Sequence, residues 1–126
     1  MKPQIGTVLW RDLTVQDADQ IQRFYCQVVG WTSAPHEMGG DMGTYHDFDI
    51  HAADGETVAG ICHARDTNAN LPPQWLVYVT VADVDESARQ CIELGGKVID
   101  GPRAMGSARF CVIQDPAGAV LALISQ

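Results

Sequence analysis

Apolar and polar residues alternate along "TVLWRDLTV" with the two-residue period of a β-strand, and the period changes just beyond it. From Asp17, whose carboxylate can accept from the first free N–H groups of a helix, Ile21, Phe24, Tyr25 and Val28 recur at three- and four-residue spacing. A helix is predicted there, closed by Gly30. "WTSAPHE" reads as a short strand and "MGGDMG" as a glycine-rich connection that no strand would tolerate. "TYHDFDIHA" alternates strictly, Asp54-Gly55 turns the chain, and "TVAGICHA" returns as a partner strand. After the polar segment "RDTNANLPPQ" the order starts again. "WLVYVTV" is a strand, Asp83 caps a helix ended by Gly95-Gly96, and "KVIDGP" is a strand. "RAMGSA" is a second glycine connection, and "RFCVIQ" and "AVLALIS" flank the turn "DPAG".

The two halves also share residues. Thr14/Thr80, Val15/Val81, Asp17/Asp83, Asp19/Asp85, Arg23/Arg89 and Gly30/Gly96 stand at one constant offset, and Met105-Gly106-Ser107 answers Met42-Gly43-Thr44. The chain is therefore read as a tandem repeat of a βαβββ unit within one α+β domain, 1–126. Module one covers about 5–64, a linker about 65–74, and module two about 75–126. Each module should bury one sheet face under its helix and leave the other concave, so that two modules form a cleft suited to a small molecule.

Charge and composition narrow the function. A net charge of −8 disfavours nucleic acid and anionic membrane, both of which demand a basic surface. Cys26, Cys62, Cys91 and Cys111 lie singly in apolar runs without a CxxC pair, and read as buried thiols. No apolar run has membrane-spanning length and "MKPQIGTVLW" lacks the hydrophobic stretch of a signal peptide, so a cytoplasmic protein is expected.

Three stretches carry a family resemblance: "DLTVQDADQIQRFYCQVVGW", "VADVDESARQCIELGGKV" and "FCVIQDPAGAVLALI". The chain resembles the vicinal oxygen chelate superfamily, which includes glyoxalase I, bleomycin and fosfomycin resistance proteins and extradiol dioxygenases. The resemblance implies the glyoxalase/bleomycin resistance fold, with curved mixed sheets around a cleft, and a symmetric homodimer. It also implies one divalent metal held by His, Glu or Gln. Carried over residue by residue, the ligand positions fall on Trp10, Leu76, Ala122 and, in the first half, Ala59. None of these side chains can bind a cation, so no metal and no other cofactor is expected.

Parity names the residues that should line the cleft. They are Trp10, Asp12 and Thr14 from the first strand and Leu76, Tyr78 and Thr80 from the fifth. Asp47, Asp49 and His51 alternate against the core residues Phe48 and Ile50. His51 and His63 belong to this face if Ala59 does, and with Asp47 or Asp49 they could form a relocated metal site. His36 reads as a solvated loop residue. Asp12 stands mid-strand in an apolar run and calls for a partner, either Arg11, Arg109 or a ligand group. Met42 and Met105 should mark equivalent flexible rims. The ligand-binding set expected is Trp10, Asp12, Thr14, Asp47, His63, Tyr78, Met105 and Arg109. Two functions stay open: a metal-free module binding a small apolar or aromatic compound, or a lyase, isomerase or dioxygenase-type enzyme. The enzyme would use a displaced metal or pair Asp12 with Tyr78 or His63.

Overall fold

The computed structural model describes residues 3–40, 43–65 and 68–126. Among them are eight strands and two helices in the order β1 (Val8–Val15), α1 (Ala18–Val29), β2 (Thr32–Gly40), β3 (Gly43–His51), β4 (Thr57–His63), β5 (Trp75–Thr80), α2 (Val84–Glu93), β6 (Lys97–Met105), β7 (Ala108–Gln114) and β8 (Val120–Ser125). The βαβββ order thus occurs twice. Among the described residues no helix is long and apolar enough to cross a membrane. The chain clusters into two compact units, one of Arg11–Trp75 and the other of Leu76–Gln126 with the residues through Trp10. Residues 68–74 pack with the first unit, and Gly6 and Thr7 pair with Thr80 in the second.

Strand pairing repeats between the units. In the first, β1 and β4 are parallel while β2–β3 and β3–β4 are antiparallel. In the second, β5 and β8 are parallel while β6–β7 and β7–β8 are antiparallel. The helix caps form where the sequence puts them: Asp17 accepts from Gln20 N–H at 3.2 Å, and Asp83 accepts from Asp85 and Glu86 N–H at 3.0 and 3.3 Å. Gly30 takes φ 89°, a left-handed cap that glycine adopts without Cβ strain. In the DPAG turn, Asp115 accepts from the N–H of Ala117 and Ala119, joining β7 to β8.

Two details differ from the sequence reading. The glycine stretches are strand tips, since β2 runs to Gly40 paired with Gly43, and β6 runs on through Met105 to pair with Ala108. Met42 lies outside the described residues. The inner face of α1 is also displaced. Ala18, Ile21 and Tyr25 pack on the core, whereas Phe24, Val28 and Val29 are half exposed or more. Ala18, the small residue that lets the helix approach the sheet, fixes that face, and its i+3 and i+7 partners follow.

The core of the first unit is Leu13, Ala18, Phe48, Ile50, Ala59 and Ile61 beneath α1, and that of the second is Val84, Ala88, Cys111 and Leu123 beneath α2. Each large core side chain contributes about 1.5–3 kcal/mol by leaving water. These cores hold one face of each unit's strands against its helix and leave the other face to be defined by the alternate residues.

Candidate functional site

In the first unit, the face turned away from α1 is acidic. Register places Asp12 opposite Gly60, Gly60 opposite Asp49, and Asp49 opposite Ala34. One step along, Thr14 lies opposite Cys62 and Asp47 opposite His36. Asp47 is buried, and its Oδ1 accepts the His63 backbone N–H at 2.8 Å, which ties the end of β4 to β3. His36 stands 3.6 Å from the Asp49 carboxylate. The Cys62 thiol lies among these groups. Burial first, then the carboxylates of Asp12, Asp47 and Asp49, push its ionisation far above the usual thiol range. Cys62 is therefore a protonated thiol and not a nucleophile at neutral pH.

The equivalent face of the second unit is aromatic and apolar. Tyr78 pairs with Ala122, Ala122 with Val112, and Val112 with Asp100; Ile124 pairs with Phe110, and Phe110 with Arg103. The Tyr78 and Phe110 rings stack at 6.3 Å with 28° between their planes. Arg103 lies over Phe110, its guanidinium carbon 4.3 Å from the ring centroid. Its Nε and Nη2 donate to the two oxygens of Asp100 at 3.2 and 3.1 Å. One repeat thus carries carboxylates where the other carries aromatic rings.

The expected site residues scatter over this frame. Asp12, Thr14 and Asp47 share the acidic face of the first unit; Trp10 and Tyr78 belong to the second unit, where Tyr78 is only 4% exposed. Met105 is an exposed residue at the end of β6. Arg109 points instead to the helix side, gripping both oxygens of Asp85 at 2.9 Å, and that pairing raises its pKa further. Arg11 donates Nε to the Val58 carbonyl.

The parity assumed for β4 is wrong. Ala59 lies in the α1 core with Ile61, and His63 shares its parity, with Nε2 3.6 Å from Asp19 of α1 and its ring edge-on to Tyr45. The residue of β4 facing Asp12 is Gly60, as Ala122 faces Tyr78 in the second unit. Ile61, the bulkiest residue of that strand, carried the signal: its side belongs to the core, and Ala59 and His63 go with it. His51 falls beyond an irregularity between Ile50 and His51, and its ring bonds Thr57 at 3.1 Å. The sequence reading missed Arg103 because "RAMGSA" reads as a loop there, and missed Asp100 and Phe110, which stand in the expected strands "KVIDGP" and "RFCVIQ", because no parity was assigned to those strands.

A family model described as a glyoxalase-like domain matches residues 10–124. CFP32 of Mycobacterium tuberculosis, which carries a provisional glyoxylase name, is 32% identical over 120 residues, 94% of this chain and 45% of that protein. The anthracycline biosynthesis protein DnrV of Streptomyces peucetius is 31% identical over 131 residues, 94% of this chain and 46% of that protein. The chain spans about half the length of the curated relatives it matches. Among solved structures, a methylmalonyl-CoA epimerase variant of Streptomyces coelicolor in complex with 2-nitronate-propionyl-CoA is similar in fold. It gives a TM-score of 0.55 at 16% identity over 98% of this chain and 99% of that one.

Proposed function

The chain belongs to the glyoxalase-like domain family of the vicinal oxygen chelate superfamily, and from that premise we propose that it binds a small apolar or aromatic molecule without a metal at the family's usual position. One observation carries this reading: the residues at that position have no lone pairs to offer. Trp10, Leu76 and Ala122 present indole, isobutyl and methyl groups, and Leu76 and Ala122 are fully buried. A divalent cation needs imidazole, carboxylate or amide oxygen there. Among the described residues no three His, Cys, Asp or Glu side chains are grouped to hold an ion elsewhere. Relatives named for anthracycline biosynthesis favour an aromatic ligand. The protein is further proposed to act as a homodimer.

A second reading, acid–base catalysis, rests on Asp12 and Tyr78, which occupy the same position of the two repeats. Titration with N-phenyl-1-naphthylamine, a neutral flat fluorophore, after treatment with a chelator tests the first reading. Saturable binding that added zinc leaves unchanged is expected. Binding that appears only with zinc, or no binding at all, contradicts it.

A further inference from the structure

We propose that the corner formed by Asp100 and Phe110 is a site for a planar aromatic cation, and that the Arg103 side chain occupies it in the ligand's place. The proposal rests on the aromatic-ligand reading above and specifies the charge and shape of the ligand. Arg103 sits on a face where Tyr78, Phe110, Val112, Ala122 and Ile124 are almost wholly buried. Its guanidinium is a flat cation with a ring beneath it and a two-oxygen carboxylate beside it. Those are the contacts by which an external planar cation is recognised: stacking on an aromatic face and a fork to a carboxylate.

Exposure supports a plug that can leave. The Arg103 side chain is 25% exposed and that of Asp100 15%, whereas Phe110 beneath is 1% exposed. The guanidinium is therefore the cover of the aromatic floor, and it lies at the solvent edge. Desolvation of a partly buried ion pair cancels most of its attraction, so the Asp100 pairing by itself adds little to what holds the cover. An aromatic cation would make the same two contacts and remove more apolar surface from water. The backbone is shaped for this corner too. β6 changes register between Asp100 and Arg103, through Gly101 at φ 85°, and irregularities of that kind re-aim side chains. A net charge of −8 favours a cationic visitor over an anionic one.

Proflavine, a planar tricyclic cation, can be titrated into the intact protein by fluorescence, with benzamidine and its neutral isostere benzamide as competitors. Arg103→Ala is expected to tighten proflavine binding about tenfold, because the internal competitor is gone. Adding Asp100→Asn should abolish the gain, and benzamidine should compete where benzamide does not. Arg103→Lys keeps the charge but neither the plane nor the fork, and should give a smaller gain; it serves if the alanine variant does not fold. Unchanged or weaker proflavine binding in the variant that folds overturns the proposal, and weaker binding would make Arg103 a ligand contact. If N-phenyl-1-naphthylamine still binds in that case, only the corner is wrong. A protein that binds neither fluorophore overturns the aromatic-ligand reading as well.

Discussion

Replacing Asp47 separates the structural from the electrostatic role of the acidic face. The carboxylate is buried, receives the His63 N–H at 2.8 Å and holds up the ionisation of Cys62. Asp47→Ala removes a charge-assisted acceptor and strands a backbone donor, a loss of about 1.5–3 kcal/mol. Asp47→Asn keeps a carbonyl oxygen in place and relieves repulsion from neighbouring carboxylates, so its cost should stay within about 1 kcal/mol. For a chain of 126 residues each kcal/mol is about 4 °C in Tm, so the alanine variant should melt about 6–12 °C below the parent. Urea denaturation followed by circular dichroism gives the free energies directly. Thiol titration of both variants should show Cys62 ionising at lower pH, while burial keeps it above the usual range. An Asp47→Ala protein as stable as the parent would show that the His63 tether contributes nothing.

Other expectations follow from individual contacts. Gly96→Ala would put a methyl group 2.6 Å from the Cys91 sulfur and 2.8 Å from the Gln114 carbonyl oxygen. It should cost about 1–3 kcal/mol in urea titration, against about 1 kcal/mol for Gly30→Ala, where only φ is strained; equal costs would contradict the crowding. On the acid side, the hydrogen bond from Arg89 holds Glu86 at about 2, below 4.5. That stabilisation is whole above about pH 5, fades as pH falls towards 2, and should shrink in high salt. On the alkaline side, burial and then Cys91 push the Cys111 thiol from 9.0 up to about 11. Its contribution is whole below pH 9 and lost as pH rises to about 11, and Cys111→Ala should flatten that limb of the stability curve. Trp10→His combined with Ala122→Glu should introduce zinc affinity measurable by calorimetry. No gain would mean that the register assigned to β1 and β8 is wrong.

The repeat was legible because its punctuation is chemical. Asp17 and Asp83 cap, Gly30 and Asp115-Pro116-Ala117-Gly118 terminate, and each acts within a few residues of itself. The alternation that set Asp47 and Asp49 against Phe48 and Ile50 is equally local. Parity failed in β4, where Val58, Ala59, Gly60, Ile61 and Cys62 are all apolar or small and either face could be the inner one. That choice is made by pairing to β1, a contact across the chain. Arg109 illustrates a second limit. Its partner Asp85 lies 24 residues away on α2, and nothing local distinguishes it from Arg103, which turned out to lie on the aromatic face.

The central claim, that the family's metal position is empty of donors and the ligand is held without one, is tested most directly by elemental analysis of the purified protein. After dialysis against a metal mixture and then buffer, the account predicts far less than one equivalent of zinc, nickel, manganese or cobalt per chain. One equivalent of a divalent metal, lost on substituting Asp12 or Asp47 but retained on substituting surface carboxylates such as Glu93, would contradict it.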